Sequence, residues 1–123
     1  MRGKKIAVLG LTFKPNTDDM RDAPSISIIR SLQDGGARIR VYDPEGMENA
    51  RAVIDDVDYA EDAYACLDGA DAMVLVTEWD IFRALDMDRV KQSLTAPIIV
   101  DLRNVYPRED MIARGFTYVG VGR

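Results

Sequence analysis

Histidine is missing from this 123-residue sequence, and cysteine occurs once, as Cys66. Those scarcities exclude a good deal of chemistry. A zinc site of thiolates and imidazoles has no ligand set to draw on. The commonest general base is unavailable, and no internal disulfide can form, which fits a reducing compartment. No apolar run reaches the ~18 residues that suggest a membrane span. The first residues, Met1-Arg-Gly-Lys-Lys5, pass into a strand pattern without a secretory leader's apolar segment, so a cytoplasmic protein with no membrane partner is expected. A block of one charge is also missing. Lys and Arg total 16 against 21 Asp and Glu, a net charge of −5, and the cations are scattered. That pattern argues against a nucleic-acid surface. An anionic ligand must then be gripped by a few local cations rather than by a general field. Repeats, low-complexity tracts and linkers are absent, and the length suits one domain with a real core.

What is present is a regular alternation of apolar runs and amphipathic segments. Ile6 to Leu9 is an apolar run short enough for a strand buried on both faces. Gly10 ends it, and a polar loop follows that is longer than the ~2–6 residues a bare connection needs. Pro24 and Ser25 then open a helix in which Ile26, Ile28, Ile29 and Leu32 face inward until Gly35-Gly36. Arg38 to Asp43 alternates and meets Pro44, predicting a second strand. A short helix is predicted over 45–52, an edge strand over Val57-Asp-Tyr59 and a helix from Ala60 toward Gly69. Asp71 to Thr77 is the most apolar later run and predicts a central strand. Short helical pieces to Leu94, a buried strand over 97–102, a helix from Pro107 to Arg114 and a last strand over 116–119 complete the chain. The fold class is α/β: a Rossmann-like, doubly wound, mostly parallel sheet of about six strands with helices on both faces.

In such a sheet the loops after the strands share one edge. Three of them carry unusual polar residues, at 12–21, 77–80 and 101–104. Lys14, Arg21, Glu78 and Arg103 are therefore expected on that edge, where Lys14 and Arg103 pair a compact cation with a forked one, a combination suited to phosphate oxygens and sugar hydroxyls. Lys14 lies just past a buried strand, between Phe13 and Pro15, and is the hardest of these to explain as surface decoration. The usual dinucleotide fingerprint is absent, because Gly10 is followed by Leu11 and Thr12 with no second or third glycine. Asp43 stands where such folds place a ribose-binding acid, yet an Asp before Pro is more often a turn former. Bland readings exist for the others. Asp18, Asp19 and Asp22 suit a solvated loop and a helix cap, Arg21 a surface pair, and Arg103 a carbonyl cap. Trp79 and Phe82 suit packing, and Cys66 suits a buried structural thiol with no cationic neighbour in sequence.

The run Gly10-Leu-Thr-Phe-Lys-Pro-Asn-Thr-Asp-Asp-Met-Arg-Asp-Ala-Pro-Ser25 resembles the signature opening the C-terminal, UDP-binding domain of the UDP-glucose/GDP-mannose dehydrogenase family. Val41-Tyr-Asp-Pro44, Val76-Thr-Glu-Trp-Asp80 and Val100-Asp-Leu-Arg-Asn104 match in order and roughly in spacing, so the resemblance covers essentially residues 1–123. It implies an enzyme that oxidises the sugar C6 alcohol to a carboxylate in two NAD-dependent steps, through a thiohemiacetal and a thioester on a catalytic cysteine. By motif, Phe13, Lys14 and Arg103 fall on substrate-contacting positions. Arg21 falls on an arginine reaching the NAD cofactor, which is held mainly by another domain. Asp18, Asp19, Glu78 and Trp79 match letters with no transferable role. Asn16-Thr17 and Thr77-Glu-Trp79 lean toward UDP-glucose over GDP-mannose or an N-acetylated sugar.

The departures matter as much. The family's glycine-rich NAD domain, its central dimer-forming helices and its Gly-Gly-Ser-Cys-Phe-Pro segment are not in these residues, and Cys66 lies in no comparable context. The implied partners are a UDP-sugar and the remaining domains of a homo-oligomeric enzyme, and the isolated chain is expected to be inactive. Two other classes stay open at this point: a stand-alone, non-catalytic nucleotide-binding or regulatory module, and a pure interaction domain.

Overall fold

The first strand, β1 (Lys5–Leu9), decides how the molecule is layered. Successive strand residues face opposite sides, and here both sides are apolar: Ile6 and Val8 on one, Ala7 and Leu9 on the other, all buried. A strand of that kind belongs in the middle of a sheet covered on both faces. The computed structural model describes residues 3–12, 24–51, 54 and 56–120. It continues through α1 (Pro24–Asp34), β2 (Arg38–Tyr42), α2 (Met47–Ala50), β3 (Val57–Tyr59), α3 (Ala63–Leu67) and β4 (Ala72–Leu75). Then come α4 (Asp80–Arg83), α5 (Met87–Ser93), β5 (Ile98–Asp101), α6 (Arg108–Ala113) and β6 (Thr117–Gly120).

The six strands form one sheet in the order β3-β2-β1-β4-β5-β6, and every pairing is parallel. The chain builds outward from β1 to β3, then returns to start again at β4 beside β1. The ends of β1 and β4 are therefore the switch point at which open sheets of this kind place ligands. The expected Rossmann-like sheet is present, with β3 at one edge and β4 central.

Two apolar clusters fill the two faces. Ile6, Val8, Ile39, Val41 and Val74 meet Ile29 of α1 and Ala50 of α2. Ala7, Leu9, Met73, Leu75 and Ile99 meet Leu67 of α3, Phe82 of α4, Val90 of α5 and Met111 of α6. Several elements are shorter than the sequence suggests: α3, expected from Ala60, starts at Ala63 behind its Asp62 cap, and β4 and β5 are each trimmed at both ends. The helix predicted from residue 45 begins only at Met47, because the Glu45 and Gly46 N–H groups are held in a turn by the Asp43 carboxylate. Its predicted last residue, 52, lies outside the described residues.

Candidate functional site

Strand register brings Tyr42, Leu9, Leu75 and Asp101 into line across four neighbouring strands. The residues that follow them share the carboxyl edge of the sheet. Five polar or charged side chains are buried among the described residues: Thr12, Ser25, Asp43, Thr77 and Asp101. All five sit along this edge. Buried polar groups are costly unless bonded, so their concentration here marks a rim held in a set shape.

The rim begins with a close approach. Gly10 has φ +94°, and a Cβ built on it would lie 2.6 Å from the backbone nitrogen of Thr77. Only glycine tolerates both the angle and the crowding. Gly10 N–H donates to the Tyr42 carbonyl at 2.8 Å. The Thr77 hydroxyl donates to the Thr12 carbonyl at 2.6 Å, and Ser25 Oγ donates to the Leu11 carbonyl at 2.5 Å. The loop leaving β1 is thus stitched to the ends of β2 and β4 and to the start of α1.

Asp43 is the centre of this knot. Its Oδ2 accepts from the backbone N–H groups of Leu11 at 2.7 Å and Thr12 at 3.2 Å, and from Trp79 Nε1 at 3.2 Å. The Thr12 hydroxyl is 3.4 Å from the same oxygen. Its Oδ1 accepts from Glu45 N–H at 2.9 Å and Gly46 N–H at 2.7 Å. A carboxylate offers about four lone-pair sites, and these donors exhaust them. The side chain is fully buried. Asp43 is therefore the turn former that an Asp before Pro suggests, and it also ties two further loops. Trp79 is likewise a packing residue, buried and bonded through its indole.

A second carboxylate, Asp101, anchors the neighbouring loop. Its Oδ1 accepts from Arg103 N–H at 3.0 Å, and its Oδ2 accepts from Tyr106 N–H at 2.9 Å and from the Tyr118 hydroxyl at 2.7 Å. The Tyr106 hydroxyl donates to the Phe82 carbonyl at 2.6 Å. Burial, followed by the charge of Asp101, pushes the Tyr106 phenol above its usual range. Beyond Asp101 the rim opens to solvent. Arg103 donates from Nε and Nη2 to the two carboxylate oxygens of Glu78, the Nη2 bond at 2.9 Å. Glu78 follows β4 and Arg103 follows β5, so the pair bridges adjacent strand ends. The hydrogen bond from Arg103 holds the Glu78 carboxyl below the ordinary glutamate range, and the same bond raises the guanidinium. The carbonyl-capping reading of Arg103 gives way to this ion pair.

Arg103 and Glu78 thus meet on one edge. Phe13, Lys14 and Arg21, and with them Asp18, Asp19 and Asp22, lie outside the described residues. Thr12, the last residue described before them, stands on that edge. Reading the sequence alone placed Thr12, Thr77 and Asp101 at the starts of the three polar loops but gave none of them a role, since their only signal is a polar letter after or at the end of an apolar strand.

Cys66 lies on α3, fully buried, with Sγ 3.3 Å from the Arg40 carbonyl. Burial pushes its thiol up to about 12, against a smaller lowering by Arg40. A cation is therefore nearby after all, brought across by β2, but burial outweighs it, as in a structural cysteine. A cleft of about 120 Å³ opens at the opposite, amino end of the strands, lined in part by Lys5, Arg38, Arg40 and Cys66. Among the described residues no cluster of metal-binding side chains occurs, and no helix is long and apolar enough to cross a membrane.

The strand order and the polar rim at its switch point define a Rossmann-like α/β domain without a glycine-rich phosphate loop. Residues 7–108 match the UDP binding domain of the UDP-glucose/GDP-mannose dehydrogenase family, and the chain belongs to that family. It is similar to the UDP-glucose 6-dehydrogenase of Rhizobium meliloti (strain 1021), with 57% identity over 123 residues, all of this chain and 28% of that protein. Among solved structures it resembles a UDP-glucose dehydrogenase from the hyperthermophilic archaeon Pyrobaculum islandicum, at TM-score 0.80 and 39% identity over 98% of this chain and 26% of that one. It also resembles the NDP-N-acetyl-D-galactosaminuronic acid dehydrogenase of Methanosarcina mazei Go1, at TM-score 0.84 and 30% identity over 99% of this chain and 25% of that one. The chain spans a little over a quarter of the length of the curated relatives it matches.

Proposed function

We propose that this chain, over residues 1–123, is the nucleotide-sugar-binding C-terminal domain of a UDP-glucose 6-dehydrogenase. The whole enzyme oxidises UDP-glucose to UDP-glucuronate with two NAD, acts as a homo-oligomer in the cytoplasm and supplies precursors for polysaccharide synthesis. Phe13, Lys14 and Arg103 contact the UDP-sugar, and Arg21 reaches an NAD held mainly by another domain. The observation that carries this reading is the 57% identity across the full chain to a UDP-glucose 6-dehydrogenase.

The rim suits the binding half of that task. Arg103 stands at the open end of the carboxyl edge, with its backbone tied to a buried carboxylate. A forked cation there matches the oxygens of a diphosphate. Among the described residues, the switch point lacks the usual features of a dinucleotide site. Gly10 has no partner glycines, and Asp43 is buried with its acceptor sites filled, so it has none to offer a ribose hydroxyl. This chain's residues therefore do not hold NAD by the usual fingerprint, in keeping with a cofactor carried elsewhere in the enzyme.

Calorimetric titration of UDP-glucose into the chain tests the reading. Lys14→Ala and Arg103→Ala are each expected to weaken binding about tenfold or more, as loss of a charge-assisted hydrogen bond does. Either variant binding as well as the parent overturns its assignment. No NAD reduction is expected from the chain alone, since it lacks the family's cysteine segment. Turnover by a clean preparation contradicts that.

A further inference from the structure

We infer that Glu78 is a positioning residue for the nucleotide: it grips the side edge of the Arg103 guanidinium, so that the end edge faces the anionic ligand. This rests on the UDP-sugar reading given above and adds to it which face of Arg103 is used and what holds it there.

The geometry carries the argument. A guanidinium is a planar group with five N–H donors along distinct edges. Arg103 spends its side edge, Nε and one N–H of Nη2, on the two oxygens of Glu78. The remaining edge, formed by Nη1 and the second N–H of Nη2, points away from Glu78 because the group is flat. Two parallel N–H vectors on that edge match two oxygens of a phosphate. The base of the side chain is fixed separately, by the Arg103 N–H bond to buried Asp101. Arg103 is thereby held at its backbone and at one flank of its head, and the pair remains partly open, with side-chain exposures of 36% for Arg103 and 24% for Glu78. An exposed arginine would otherwise lose rotamer freedom on meeting its ligand. Glu78 removes that loss in advance, and it places a negative charge beside the site, which disfavours a second anion there.

Lysine cannot reproduce this arrangement. Its ammonium is a point charge with no second edge, so Arg103→Lys is expected to bind UDP weakly even with the charge retained.

The test is a double-mutant cycle on UDP affinity, using the 123-residue chain and UDP as the probe, with thermal unfolding followed alongside. Glu78→Ala is expected to weaken UDP binding about tenfold, with its unfolding midpoint close to the parent's because an exposed pair adds little stability. Glu78→Gln, which keeps one carbonyl acceptor for the Nε–H, is expected to fall between the two. In an Arg103→Ala background, Glu78→Ala is expected to change UDP affinity no further, since Glu78 acts through Arg103. Equal or tighter UDP binding by Glu78→Ala overturns the inference and marks Glu78 as a competitor of phosphate. A Glu78 effect that persists without Arg103 overturns it as well. If the parent binds UDP and Arg103→Ala weakens it while Glu78→Ala does not, the inference falls and the UDP-sugar reading stands. A parent that binds no UDP removes both.

Discussion

Asp43 and Glu78 are carboxylates on the same rim, and their surroundings divide them. Asp43 is fully buried and takes its donors from Leu11, Thr12, Glu45, Gly46 and Trp79, which are neutral groups of its own chain. Glu78 is partly exposed and takes its donors from a single cation, Arg103. The first arrangement closes a knot with no capacity left over. The second holds a charged fork at the surface with one edge still free of Glu78. The contrast teaches that one edge of a sheet can be divided into a part that fixes loop shape and a part that holds a charged group at the surface, and that burial separates the two more clearly than residue type does.

The strongest way to break the contrast is Asp43→Ala. It strands several buried N–H groups at once and is expected to cost about 3 kcal/mol or more in denaturant unfolding. A loss below about 1 kcal/mol would show that the knot is dispensable. Gly10→Ala comes next, since it forces a Cβ into Thr77 at a left-handed φ and is expected to cost about 2–3 kcal/mol by the same measurement. Arg103→Ala sharpens the contrast from the other side. Its unfolding free energy is expected to stay within about 0.5 kcal/mol of the parent while UDP-glucose binding falls.

The smallest effect is a pH dependence. The Glu78 carboxyl is held below its ordinary value in the folded chain. Its contribution is therefore present above the ordinary glutamate pKa and is lost as the pH falls through the depressed one. The stability gap between the parent and Glu78→Gln is expected to narrow on acidification from about pH 6 to pH 3. A gap that widens in acid reverses the sign.

The elements were legible because each follows from neighbours in sequence. The run at 71–77 is apolar enough to read as a buried central strand, and Ile26, Ile29 and Leu32 repeat at the spacing of a helix face. Even the weak signal at Val57 to Tyr59 is a real edge strand, paired to β2. The rim was legible only in outline. Asp43 reads correctly as a turn former from the proline beside it, but its bonds to Leu11 and Trp79 join residues 32 and 36 positions apart. Glu78 and Arg103 are 25 apart and become partners only because β4 and β5 lie side by side. No local pattern encodes such a pairing. The cation beside Cys66 escaped notice for the same reason, since Arg40 arrives from a neighbouring strand.

Trp79 is the sole tryptophan of the chain, and its indole N–H ends on Asp43. The molecule consequently carries one indole fluorophore, which can be excited selectively over the five tyrosines, wired to the knot and one residue from Glu78. Its emission colour and quenching by dissolved iodide register the state of that corner without any label. A spectral shift ahead of the far-ultraviolet helix signal during unfolding would mean that the rim opens before the sheet comes apart.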